Sequence, residues 1–141
     1  MSTRSPCFHI HVIGGLLFII SLLADLSHGD IGTASCYSPP YVPTLCYGFD
    51  TSQFPTDRLF AEAGEEIWDN GAACGRLYLV RCIGARLAGG CIEGAAIEVM
   101  IVDYAGARSN ETMRLSETAY KMIASTGTLG GGIIIIELEQ V

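Results

Sequence analysis

The chain has 141 residues, with 8 basic and 15 acidic side chains and a formal charge of −7. That balance argues against holding nucleic acid or another polyanion through bulk charge. The length suits one domain with one core, and part of the 50% hydrophobic content belongs to an apolar N-terminal stretch.

Residues 1–29 read as a secretory signal peptide: Arg4 starts it, Val12–Leu23 is its apolar centre, and Ser27 and Gly29 are small residues ahead of a cut before Asp30. The apolar run is short for a span of about 20 residues, so no stable membrane insertion is expected once the leader is removed. His9, His11 and His28 leave with it, as does Cys7. Residues 30–141 then contain no histidine. That excludes a Ser-His-Asp or Cys-His mechanism and a His-ligated metal. No metal or cofactor is expected.

Ile31–Tyr37 reads as a first strand. Ser38–Pro43 must be extended or turning, because Pro39, Pro40 and Pro43 remove backbone donors. Asp57–Ala63 reads as a short helix capped by Asp57. Asn70-Gly71 is a strong turn dipeptide, since both residues tolerate positive φ. Arg76–Cys82 and Ala96–Asp103 read as strands, the latter becoming continuously apolar as a strand buried on both sides would. After a loop over Gly106–Glu111, Thr112–Leu115 is a short strand. Ser116 caps a helix through Ala124, with Ala119, Met122 and Ile123 on one face. Gly127–Gly132 is a flexible loop and Ile133–Leu138 a final strand.

Cys36, Cys46, Cys74, Cys82 and Cys91 remain in an oxidising compartment and cannot all pair within one chain. Cys82 and Cys91 flank the Gly-rich loop Gly84–Gly90, as a hairpin-closing bridge would. Asn110-Glu111-Thr112 is a glycosylation sequon in a loop.

The segment Trp68-Asp69-Asn70-Gly71-Ala72-Ala73-Cys74-Gly75 resembles the corresponding part of the plant natriuretic peptide-like proteins. These are single-domain relatives of expansins. Gly32–Ser35, Pro39-Pro40-Tyr41, Cys46-Tyr47-Gly48, Val99–Asp103, Leu115-Ser116, Ala119-Tyr120 and Gln140-Val141 extend the resemblance over nearly all of residues 30–141. It implies a mainly β fold, a six-stranded double-psi β-barrel of barwin or expansin type with one or two short helices. It also implies the bridges Cys46–Cys74 and Cys82–Cys91, leaving Cys36 unpaired: a buried free thiol, or one available for an intermolecular disulfide. Three departures stand out. The two cysteines usual just after Asp103 are replaced by Tyr104–Ser109, Cys36 stands where an aromatic residue is common, and Arg114 stands where an Asp usually precedes Leu-Ser.

Asp103 resembles the groove carboxylate of expansins and related glycan-cleaving barrels, and Ser35 and Tyr37 lie on the strand that borders the same groove. Alternatively, Asp103 pins its own loop by hydrogen bonds. Glycoside hydrolysis normally needs two carboxylates, and the first strand, Gly32–Tyr37, supplies none. A non-enzymatic protein is therefore expected. Tyr41, Tyr47, Phe49, Phe54 and Trp68 either stack on a ligand or fill the core. The resemblance implies a secreted, apoplastic signal in water and ion homeostasis and stress response. Its active region is carried over as Tyr41–Arg76, with Tyr41, Tyr47, Trp68 and Arg76 as candidates and a cell-surface receptor as partner. The alternative is an expansin-like module binding a neutral cell-wall polysaccharide.

Overall fold

The computed structural model describes residues 29–85, 90–125 and 132–141. The expected leader lies outside these residues except for Gly29, as do parts of the loops 84–90 and 127–132. Six strands form: β1 (Asp30–Tyr37), β2 (Phe60–Ala63), β3 (Leu77–Ala85), β4 (Ala96–Tyr104), β5 (Met113–Ser116) and β6 (Ile134–Gln140). Two short helices join them, α1 (Glu65–Trp68) and α2 (Glu117–Ile123).

The strands close into a barrel in the order β1-β5-β2-β4-β3-β6. The β1–β5 and β2–β4 pairs are parallel and the others antiparallel. This is the six-stranded double-psi β-barrel that the resemblance implied. Alternation along each strand sends Ala34, Ala61, Ala63, Val99, Ile101, Met113, Leu115 and Ile136 into a shared interior. The alanines leave room there for the larger side chains opposite. Gly64 permits a close crossing, because a Cβ at that position would run into the Glu111 carbonyl.

The expected helix over Asp57–Ala63 is instead a turn followed by β2. Arg58 has φ 64°, outside the right-handed helical region. Asp57 accepts a hydrogen bond from the Leu59 amide at 3.0 Å, turning the chain rather than capping a helix. Phe60–Ala63 then pairs with both β4 and β5. Four residues are too few to distinguish the two periods, and the long-range pairing decides. On α2 the buried residues are Ala119, Tyr120 and Ile123, while Met122 is exposed. Ser116 does cap this helix, accepting from the Ala119 amide at 3.2 Å and donating to the Arg58 carbonyl at 2.7 Å. Asp69, Asn70 and Gly71 all have positive φ in the expected turn.

Cys46–Cys74 and Cys82–Cys91 are disulfides, with Cα atoms 5.5 and 5.3 Å apart. Cys36 is free and half-buried.

Candidate functional site

Four neighbouring strands, β1, β5, β2 and β4, carry two rows of outward-facing side chains. Tyr37, Phe60 and Val102 form an apolar row, roofed by Tyr41, Tyr47, Phe54 and Met100. Rings meet edge-on at 4.8 Å for Tyr41–Phe60 and 5.0 Å for Tyr37–Tyr41. The segment between β1 and β2 thus lies down as a lid, and Tyr41 and Tyr47 belong to its packing. Tyr41 also accepts from the Glu117 amide at 3.2 Å.

The second row is polar, and strand register assembles it. Ser35 on β1 faces Arg114 on β5, Arg114 faces Glu62 on β2, and Glu62 faces Asp103 on β4. A register shift between Ala61 and Glu62 brings the last pair together. Arg114 donates to Glu62 at 3.0 Å and lies 5.6 Å from the centre of the Tyr37 ring. Its side chain is 36% exposed, that of Glu62 only 12%. Burial, reinforced by the charge of Asp103, pushes the Glu62 carboxyl up to about 7 despite the opposing effect of Arg114.

Asp103 uses one oxygen, Oδ1, to accept from the amides of Leu45 at 2.9 Å and Tyr104 at 2.8 Å. It therefore pins loops, one of them far away in sequence. Ser35 and Tyr37 are both only 6% exposed. Burial, then the nearby carboxylates Glu62 and Asp103, drive the Tyr37 hydroxyl far above its ordinary pKa, and that hydroxyl has no hydrogen-bond partner among the described residues. Tyr37 is thus a floor beneath the row rather than a surface contact.

At the β1 end the row opens into a hollow of about 410 Å³ lined by Ser35, Cys36, Arg108, Ser109, Glu111 and Arg114. Ser109 donates to Glu111 at 2.7 Å and keeps its carboxyl below the ordinary range. Asn110, between Ser109 and Glu111, is exposed. Burial raises the Cys36 thiol, so it is not a ready thiolate. Among the described residues no cluster of three or more Cys, Asp or Glu is arranged to hold a metal.

Trp68 and Arg76 lie elsewhere. Trp68 stacks on Tyr104 at 4.8 Å, and the Tyr104 hydroxyl bonds Glu65. Arg76 pairs with Asp69 at 2.7 Å. Both line a separate hollow of about 440 Å³ with Glu65, Glu66 and Asn70. The four candidates carried over as a signalling region therefore fall into two environments. Glu62 and Arg114 were missed as site residues. Glu62 lay inside an expected helix, and only its register with Asp103 reveals it as a second carboxylate, supplied by β2 rather than β1.

A closed six-stranded barrel of this topology has the fold found in expansins. The solved structures it resembles include Clavibacter michiganensis expansin, both as a mutant in complex with cellohexaose (TM-score 0.57) and without ligand (TM-score 0.55). Each is 22% identical, covers 79% of this chain, and is matched over 49% of its own length. The chain thus spans about half of those expansins, and the likeness speaks to fold. No protein-family model matches the chain. Relatives in sequence are an EG45-like domain containing protein of Citrus jambhiri, 36% identical over 86% of this chain and 88% of that protein, and EG45-like domain containing protein 2 of Arabidopsis thaliana, 34% identical over 79% and 82%. The chain belongs to this family of expansin-like, EG45-like domain containing proteins.

Proposed function

We propose that this protein is a secreted, non-catalytic barrel that binds a neutral β-linked glucan of the plant cell wall along its polar row. The observation that carries the reading is the row itself. Arg114 and Glu62 set a donor and an acceptor side by side, with Arg114 still part-exposed beside an open hollow that Ser109 and Glu111 also line. Alternating donors and acceptors suit the equatorial hydroxyls along the edge of a pyranose chain. The fold is that of an expansin crystallised with cellohexaose. Both disulfides and the leader-like residues 1–29 support an extracellular location.

Two carboxylates stand together, and the contacts each already makes support the non-catalytic part of the reading. Glu62 is held by Arg114, and Asp103 by two backbone amides. Signalling in water and ion homeostasis gains no support of its own from these residues, because Tyr41 and Tyr47 pack in the lid, Trp68 stacks on Tyr104 and Arg76 pairs with Asp69.

Calorimetric titration of the secreted protein with cellohexaose tests the reading. Saturable binding that Arg114→Ala weakens about ten-fold or more is expected, in line with losing a hydrogen bond to a charged group. No binding to cellohexaose, or binding indifferent to Arg114→Ala, would overturn it. New reducing ends that disappear in Glu62→Gln would overturn the non-catalytic part.

A further inference from the structure

The polar row does not end at Asp103. Its Oδ1 atom reaches on to the Leu45 amide, so the next element along the same line is the tight turn Thr44–Gly48. Leu45 and the following Phe49 are 71% and 78% exposed, more than any other large hydrophobic side chain among the described residues. The other exposed ones, such as Ile31, Ile83 and Met122, are spread over separate elements.

This turn is held unusually firmly for an apolar tip. Thr44 and Gly48 exchange backbone bonds of 2.8 and 2.9 Å, and the Tyr47 amide donates to Thr44 Oγ1 at 2.9 Å. The Cys46–Cys74 disulfide ties it to the chain before β3. Two apolar side chains kept in water on a pre-ordered turn lose little entropy on meeting a partner.

We propose that Leu45 and Phe49 form an apolar platform that takes the ring face of the same sugar chain whose hydroxyl edges lie on the polar row, with Asp103 the positioning residue that sets the platform at the end of that row. The inference rests on the glucan reading. Its basis is amphiphilic complementarity: a β-linked glucan is polar at its edges and carries C–H groups on its faces, and here a polar row runs into an apolar tip. A flat C–H face packs well on an aromatic ring. A lipid surface fits poorly, because Asp50 follows Phe49, no Lys or Arg flanks the tip between Tyr41 and Asp57, and the chain is acidic overall.

The test is titration of the secreted protein with cellohexaose for wild type, Leu45→Ala, Phe49→Ala, Phe49→Trp, Asp103→Asn and Asp103→Ala, with unfolding midpoints measured in parallel. Phe49→Ala and Leu45→Ala should each weaken binding about ten-fold at an unchanged midpoint. Phe49→Trp should restore it, with indole fluorescence that shifts on saturation. Asp103→Asn keeps an acceptor at Oδ1 and should retain hydrogen-exchange protection at the Leu45 amide. Asp103→Ala should lose both affinity and hydrogen-exchange protection at the Leu45 amide. Wild-type affinity in both tip alanine variants overturns the platform while leaving the glucan reading intact. Absence of wild-type binding overturns both. Retained cellohexaose affinity in the tip variants, together with loss of vesicle binding or of self-association, assigns the tip to a lipid surface or a second copy and also overturns it.

Discussion

The two outward rows on β1, β5, β2 and β4 share the same strands and differ in what lies over them. The apolar row of Tyr37, Phe60 and Val102 is sealed by the segment between β1 and β2, whereas the polar row of Ser35, Arg114, Glu62 and Asp103 keeps an open end. The lesson is one of compensation. Ordering a long irregular segment costs conformational entropy, and aromatic burial offsets it. The polar row offers no such return, so it satisfies its charges by pairing along the sheet and leaves its remaining valence to solvent or ligand. The sealed row should therefore govern stability, and the open row should govern response to pH and ligand.

The largest expected effect tests the sealed row. Phe60→Ala removes a 4% exposed ring that contacts Tyr37, Tyr41 and Phe54, and should cost about 3–5 kcal/mol in denaturant unfolding. A loss below ~1 kcal/mol would show that the lid is not load-sharing with the barrel. Replacing Cys46 and Cys74 together by serine opens a closure of 28 residues and should cost about 3 kcal/mol, read as a lower unfolding midpoint. An unchanged midpoint would mean that the aromatic lid alone orders this segment.

The open row supplies a pH signature. Folding raises the Glu62 carboxyl from 4.5 to about 7, so between those values the folded state binds more proton than the unfolded one. This group therefore makes the protein more stable as pH falls from above 7 towards 4.5, with the change spread over the interval between the two values. The contribution is on the order of 1–3 kcal/mol. Unfolding at a series of pH values should show it, and Glu62→Gln should flatten this part of the profile. A slope that survives in Glu62→Gln belongs to another group. In Arg114→Leu the opposing cation is gone, so the rise in stability on acidification should begin at a higher pH than in the unaltered protein.

The smallest expected effect lies where the rows meet. Ser116 faces Tyr37 across the sheet, caps α2 and holds the Arg58 carbonyl. Ser116→Ala should cost about 1 kcal/mol, at the scale of a lost helix cap. A much larger loss would mean that the Arg58 turn, and with it the lid, depends on this hydroxyl.

Much of the architecture was legible because its signals are local. The apolar run of β4, the Asn70-Gly71 turn and the Ser116 cap each arise from side chains acting on their own backbone, and all three stand where they were expected. Phe60–Ala63 was not legible as a strand, since alanines and one glutamate suit a helix equally well and only pairing on both sides selects β. The site was read only in part. Asp103 was picked out, but its partners Glu62 and Arg114 were not, because nothing within either segment marks them as neighbours.

By itself the sequence determined the chemistry available to residues 30–141: no histidine, an excess of acids, an odd number of cysteines and strands of alternating polarity. Composition and period need no fold to be read. The tertiary structure alone decided that Ser35, Arg114, Glu62 and Asp103 share one row and that Asp103 holds the Leu45 turn. Those neighbours are far apart in the chain. Their adjacency follows from barrel closure and from a single register shift, and a one-residue slip would send each of these side chains to the opposite face.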